Sequence, residues 1–427
     1  MLSGGVIGGM RLAGQLGHRN IITTDVGGTT FLAGLIVDGE PVMAPGSIVN
    51  QFPINAATIR VHTIGSGGGA LASVDAGGNL RLGPQSAEAV PGPACYGNGG
   101  TRPTNTDANL VLGILSERGL LGGRKPLRSD LAREAIREHV AEPLGLTVDE
   151  AAIAIHEVQN AQAGDLLRRA VVQAGHDPRD FVAYAFGGAG PAHCAGYCRD
   201  LGVSEVVVPL GPVASAFSAF GLAASDVALS AELSDPSPFP VDRTVLGSHY
   251  ARLEDELRGA LDRQEVKFHD VTLQREVDLR YSMQVTELAT PVPDGEFSER
   301  TGEEILQRFE EQYERINGSG AGYREAGVQA ITYRVRAKAG LGFPVVLPEV
   351  PESDGPDPAA ALLGERSVCL DSQIGFETTP VYDYARLRAG HELVGPAIVE
   401  VPATVVVVPA GVTGRVDRLG NLVLSYQ

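Results

Sequence analysis

The chain has 427 residues, 43% hydrophobic and 20% charged, which is enough apolar material for a buried core and enough length for two or three domains. Its net charge is -18 and its pI ≈ 4.9, a surface that repels phosphate backbones and anionic lipid, so nucleic acid and membrane are not expected partners. Four cysteines (Cys95, Cys194, Cys198 and Cys369) are scattered along the chain; they form no disulfide framework and suit a reducing, cytoplasmic setting.

The opening segment, MLSGGVIGGMRLAG, lacks the charged start and continuous apolar core of a signal peptide. NIITTDVGGTTFLAGLIVDGEPV then predicts a strand (IITTDV), a tight turn at Gly27-Gly28, and a second strand (FLAGLIV). A hairpin at Asp38-Gly39 and a third strand start, PVMA, come next. EAAIAIHEVQNAQAGDLLRRAVVQAG reads as a long, mostly apolar helix ending near Gly175. FVAYAFGGAGPAHCAGYCRDLG gives a strand, a glycine turn and a helix, and SEVVVP the next strand. The order β-β-β, helix, β, helix, β is that of one lobe of the actin-like ATPase architecture, a ribonuclease-H-like α/β lobe.

This first region, residues 1–230, ends near the proline-rich stretch LSDPSPFPVD, which reads as a linker or an extended crossing. Residues 231–348 alternate helix and strand patterns, an α+β region. Within GEEILQRFEEQYERI, Leu306, Phe309, Tyr313 and Ile316 fall at helical spacing with charges on the other faces. VPESDGPDP is a second break. Residues 349–427 carry short β-rich runs (TPVYDY, PAIVEV, TVVVVP, NLVLSY) and predict a small C-terminal β domain. The longest apolar run, VEVPATVVVVPAG, is β-branched and broken by Pro402 and Pro409, so it predicts a buried strand and not a membrane span.

Three glycine clusters could carry chemistry. In Asp25-Val-Gly-Gly-Thr-Thr30, Gly27 and Gly28 let the backbone approach an anion, Thr29 and Thr30 can donate to phosphate oxygens, and Asp25 can hold a Mg²⁺-bound water. The plainer reading is a tight hairpin with ordinary turn residues. In Phe186-Gly-Gly-Ala-Gly-Pro-Ala-His193, the bare amides of Gly187, Gly188, Ala189 and Gly190 open a helix and could bind a phosphate or ribose edge. The alternative there is a close strand–helix turn that needs small residues. Ile64-Gly-Ser-Gly-Gly-Gly69 offers Gly67, Gly68 and Gly69 as a phosphate cradle or as a flexible loop. His193, Cys194 and Cys198 invite a metal reading, but His193 points a quarter-turn away from Cys194 and no second Cys/His pair lies nearby, so core packing is the expectation. His62 is expected to be structural.

These segments resemble a known family. TTDVGGTTF resembles a DxGGTxxD phosphate turn. HTIGSGGGALASVDAGGNLRLGPQSAEAVPGPACYGNGGTRPTNTDANLVLG and AGHDPRDFVAYAFGGAGPAHCAG resemble the two long signatures of hydantoinase A/oxoprolinase proteins. SAFSAFGLAASD, DLRYSMQVTEL and ELVGPAIVEVPATVVVVPAGVTGRVDRLGNLVL extend the resemblance over essentially the whole chain. The family holds ATP-dependent N-methylhydantoinases, 5-oxoprolinases, caprolactamase-like amidases, and acetone and acetophenone carboxylases.

The resemblance implies ATP and Mg²⁺ as cofactors and phosphorylation of a carbonyl or enolate oxygen of a small amide or ketone substrate. A hydantoinase B-type partner subunit would then hydrolyse or carboxylate the activated species. It assigns Asp25, Gly27, Gly28, Thr29 and Thr30 to the phosphate turn and Gly187, Gly188, Ala189 and Gly190 to the second turn. The sequence departs from the family pattern in three ways. MLSGGVIGGM resembles a point well inside the family sequence, so a separate polypeptide is expected to supply the N-terminal ATPase lobe. Leu32 stands where the phosphate turn often has an acidic residue, and Met283 where glycine is frequent. The alternative function is therefore a non-catalytic structural subunit of such a complex.

Overall fold

The computed structural model describes residues 2–44, 46–49, 51–54, 58–209, 211–341 and 347–426. The chain forms two compact units: residues 1–224 together with 346–427, and residues 225–345.

The first unit begins with helix α1 (Leu2–Leu16), followed by strands β1 (Ile21–Val26), β2 (Phe31–Val37), β3 (Glu40–Pro41) and β4 (Val61–Ile64). The β2–β3 turn has positive φ at both Asp38 and Gly39, the backbone that a two-residue hairpin with native twist requires. Helices α2 (Asn105–Val111) and α3 (Val148–Gln173) come next. Both start on a capping box, Thr104 with Asp107 and Thr147 with Glu150. The chain continues through β5 (Val182–Phe186), α4 (Gly190–Cys198), β6 (Val206–Val208) and α5 (Phe217–Ala223).

β1, β5 and β6 are parallel, and β2 and β3 extend the sheet antiparallel from β1. The resulting order β3-β2-β1-β5-β6 is the ribonuclease-H-like order expected from the sequence. Residues alternate along β1. Ile22 and Val26 pack with Leu167 of α3 and with Cys194 and Cys198 of α4. On the other face, a Cβ on Gly9 of α1 would meet Thr23 and one on Gly34 would meet Val6, so α1 lies close on that side. Helices therefore cover both faces of the sheet.

The second unit consists of β7 (Val227–Phe239), α6 (Arg243–Asp262), β8 (His269–Tyr281), β9 (Leu288–Pro291), α7 (Thr301–Asn317) and β10 (Val328–Gly340). Its antiparallel sheet runs β7-β10-β8-β9 and buries Val277, Tyr333 and Val335 with Leu253 and Phe309 of the helices. The proline-rich stretch expected as a linker or crossing is extended, and its residues through Phe239 belong to β7; a register shift between Ser234 and Ser237 accommodates Pro236, which has no N–H to give to a ladder. In α7, Leu306 and Phe309 are buried as the spacing predicts, but Ile316, in the last turn, is 61% exposed.

The C-terminal β-rich part contains β11 (Leu362–Cys369), β12 (Phe376–Asp383), β13 (Glu392–Val394), β14 (Ala397–Val401), β15 (Thr404–Val408), β16 (Val412–Val416) and β17 (Leu422–Tyr426). The apolar run containing Pro402 and Pro409 is β14 and the wholly buried β15. Four of these strands form a sheet in the order β11-β12-β14-β15. The other three, β13, β16 and β17, extend the main sheet past β6. The 349–427 region thus shares one compact unit with residues 1–224, because its last strands satisfy the edge that β6 would otherwise leave open.

Candidate functional site

β1 ends at Val26, and Gly27–Thr30 return the chain into β2, with the Gly27 N–H donating to the Thr30 carbonyl at 3.1 Å. Gly28 and Thr29 are exposed. Gly27 and Gly28 do not have positive φ, and nothing lies within 4 Å of where a Cβ would stand on either. Neither backbone conformation nor packing therefore requires glycine at these two positions. They present bare backbone to open space, and among the described residues the N–H groups of Gly28 and Thr29 have no partner in the chain.

The second turn leaves the neighbouring parallel strand. Asp25 of β1 is in register with Phe186 of β5, so both turns emerge side by side at the carboxyl ends of their strands, where open α/β sheets bind ligands. Gly187 has φ +86, and a Cβ there would stand 2.5 Å from Asp25 Oδ1 and from the Val26 carbonyl; glycine is required on both counts. The Gly187 N–H donates to Ala214 O and the Ala189 N–H to Val26 O, both at 2.9 Å. Gly188 is exposed and its N–H has no partner among the described residues. Helix α4 opens here with Pro191 in its first turn, where a missing N–H breaks no helical bond.

The third cluster is brought to the same place, but its role differs from the cradle expected of Gly67, Gly68 and Gly69. The Gly68 N–H donates to Gly27 O at 2.9 Å and the Gly69 N–H to Gly28 O at 2.5 Å. A Cβ on Gly67 would stand 2.7 Å from both Gly27 O and Thr30 N, and one on Gly68 3.5 Å from Ala189 Cβ. This loop backs the first turn, with those two amides already engaged. Ser66 is buried and its hydroxyl meets Gln159 Oε1 at 2.9 Å and Gln162 Oε1 at 2.6 Å, so α3 pins the loop.

Asp25 lies between the two turns, on the sheet face toward α1 and α5. Ser218 Oγ of α5 donates to its Oδ2 at 2.5 Å. Burial raises the Asp25 carboxyl above the usual carboxylate range, and the Ser218 hydrogen bond opposes that shift. Ser218 reaches Asp25 because α1 and α5 pack through small residues: a Cβ on Gly4 or Gly221 would collide with the backbone of the opposite helix, and one on Gly5 would stand 3.0 Å from Ser218 Oγ. Leu32 is directly opposite Asp25 in the β1–β2 register, so an acidic residue there would have shared the face of Asp25. His62 of β4 pairs with Ala33 of β2 and is half-buried; burial and Arg60 lower its pKa.

Cys194 and Cys198 are fully buried in the apolar core, as expected, and burial pushes the Cys194 thiol up to about 12. His193 is separate from them. Its Nε2 faces the amides of Asn105 (2.8 Å) and Asn109 (3.0 Å), and its Nδ1 faces Asn160 Oδ1 (2.9 Å). No group of three or more metal-binding side chains exists among the described residues. Sequence reading missed Ser218 and the polar row His156, Gln159, Asn160 and Gln162. The available signal was polar residues at helical spacing among the buried apolar positions Ile155, Ala163 and Leu167 of α3.

The chain matches the Hydantoinase/oxoprolinase family model over residues 3–231 and the Hydantoinase/oxoprolinase C-terminal domain over residues 241–425. It is 34% identical to the acetophenone carboxylase gamma subunit of Aromatoleum aromaticum, covering 99% of this chain and 58% of that protein. It superposes on the crystal structure of the ATP-dependent caprolactamase from Pseudomonas jessenii with a TM-score of 0.89 at 30% identity, covering 99% of this chain and 61% of that one. The nucleotide-free structure of acetone carboxylase, solved for the mechanism of ATP-dependent acetone carboxylation, gives a TM-score of 0.80 at 28% identity. The chain spans 58% of the length of the acetophenone carboxylase, caprolactamase and acetone carboxylase subunits it matches. With both of its matched segments drawn from the same group, the chain belongs to the hydantoinase/oxoprolinase family.

Proposed function

We propose that this chain is the ATP-binding part of a multi-subunit enzyme that phosphorylates a carbonyl or enolate oxygen of a small amide or ketone. The observation that carries the reading is the bare backbone at Gly27 and Gly28. Glycine there answers no steric or conformational need of the chain, and the amides of the exposed residues Gly28, Thr29 and Gly188 have no partner among the described residues. Such amides, with the start of α4, suit phosphate oxygens. Asp25 would hold Mg²⁺ through a bound water, its own oxygens lying against Ser218 and Gly187. The bound metal would neutralise charge developing on the transferring phosphoryl group.

In the proposed reaction, the substrate oxygen forms a bond to the γ-phosphorus as the bond to the β-phosphate oxygen breaks, and ADP leaves. The activated species then passes to a hydantoinase B-type subunit for hydrolysis or for carboxylation. An actin-like site also needs a facing lobe, and the chain spans 58% of the length of the acetophenone carboxylase gamma subunit it resembles.

Leu32 opposite Asp25 supports the second reading, a structural subunit without ATP turnover. The deciding experiment is copurification from the native host, followed by an ATPase assay against hydantoins, lactams and ketones with and without bicarbonate. Substrate-stimulated ADP release supports the enzyme. A complete complex that binds these substrates and releases no ADP supports the structural subunit.

A further inference from the structure

A buried hydrogen-bond path connects the two glycine turns. It begins at Gly27, whose carbonyl accepts the Gly68 N–H. The Gly68 carbonyl accepts the Thr106 N–H at 2.7 Å and the Thr106 hydroxyl at 2.8 Å. Thr106 is in the first turn of α2, between Asn105 and Asp107. From the same helix, the side-chain amides of Asn105 and Asn109 both reach His193 Nε2, and His193 is in the first turn of α4, three residues beyond Gly190. Two amide donors on one ring nitrogen require that nitrogen to carry a lone pair, which fixes the neutral tautomer with its proton on Nδ1 and Asn160 Oδ1 as acceptor. Asn109 is oriented in turn by His156, whose Nδ1 meets Asn109 Oδ1 at 2.8 Å. The two imidazoles stack with centroids 4.4 Å apart.

We infer that His193 is a positioning residue that holds the 187–190 turn in fixed relation to the 27–30 turn through Asn105, Thr106 and Gly68. The inference deepens the proposed ATP site and rests on it only for its ligand; the coupling of the turns is a property of the fold. A plain core role does not require this arrangement. His193 is 1% exposed and Asn105 fully buried, yet among the described residues Asn105 Oδ1 has no partner, so its amide is oriented by the donor it offers His193. An apolar residue in place of His193 would leave the amides of Asn105 and Asn109 unpaired and the path broken.

The test compares wild type with His193→Ala and His193→Gln, using the chain with whatever subunits copurify with it. Glutamine keeps an acceptor oxygen near the position of Nε2 and serves as the rescue. The first readout is hydrogen exchange of the hydrogen-bonded amides of Gly27, Gly68 and Gly69, well below the melting temperature of each variant. The second is MgATP affinity by calorimetry. His193→Ala is expected to speed exchange of the Gly27, Gly68 and Gly69 amides, which it does not touch, and to weaken MgATP binding by roughly tenfold or more, the scale of a small misplacement of binding groups. His193→Gln is expected to restore both. Unchanged protection of the Gly27, Gly68 and Gly69 amides in His193→Ala overturns the inference, as does glutamine failing to rescue a fold of wild-type stability. If wild type binds no MgATP, the proposed function fails, and the exchange data alone then support or overturn the positioning role.

Discussion

Ser218 donates its hydroxyl hydrogen to Asp25 across 193 residues of sequence. This bond fixes a carboxylate at the end of β1, and it opposes the burial that raises the Asp25 pKa. Asp25 therefore burdens the fold while serving the proposed site. A group whose folded pKa is raised contributes stability below its unfolded pKa and loses it as pH rises through the folded value, so at neutral pH the charged form is the destabilised one.

Asp25→Asn should accordingly leave the melting temperature of the chain unchanged or higher. In the assembled complex, ATP turnover should fall by about a hundredfold or more, on the order of the ~3 kcal/mol for one preorganised electrostatic group. Calorimetry and an ATPase assay on the same preparation check both halves. Wild-type turnover would mean that the carboxylate has no part in phosphoryl transfer.

Ser218→Ala removes the donor and leaves Asp25 desolvated. Its pKa should rise further, and the acid limb of the pH–rate profile of the complex should move to higher pH. A profile with an unmoved acid limb would separate Ser218 from the site.

The glycines of the two loops should respond in opposite ways. Gly28→Ala places a methyl in open space at ordinary φ, so stability should hold or rise by about 0.4–1 kcal/mol while MgATP affinity drops. Gly67→Ala drives a Cβ against backbone atoms of Gly27 and Thr30 and should destabilise by about 1–3 kcal/mol. Urea denaturation and calorimetric titration of the two variants test the contrast. Unimpaired nucleotide binding in Gly28→Ala would remove the main support for the phosphate turn.

Cys194→Ala and Cys198→Ala should leave the activity of the complex nearly intact, because both thiols are core groups kept protonated by burial. Stoichiometric zinc in the native protein, lost in the double variant, would contradict this.

His156 is buried and its pKa is lowered to about 4. Its contribution to stability is complete above the ordinary imidazole value near 6.5 and is lost as pH falls from there toward 4, since the unfolded chain takes up the proton first. The loss should reach about 3 kcal/mol. The acid limb of the stability curve should be shallower in His156→Gln; an identical limb would assign it to other groups.

The sequence by itself determined the local elements of the first lobe. Alternating and apolar runs marked β1, β2 and β5, Asp38-Gly39 marked the hairpin, and the glycine turns were legible as breaks at the ends of β1 and β5, because each depends on neighbours within a few residues. It also marked Cys194 and Cys198 as core residues, and both are buried. Only the tertiary structure decided that Gly67–Gly69 back the first turn with two of their three amides engaged, that Ser218 sits on Asp25, and that His193 faces three asparagines from two other helices. It also decided that β13, β16 and β17 continue the sheet begun at β1. These are pairings between residues tens to hundreds of positions apart. Period and propensity carry no information about them, because the partner of a buried amide, hydroxyl or strand edge is set by which groups the fold leaves unsatisfied in the same place.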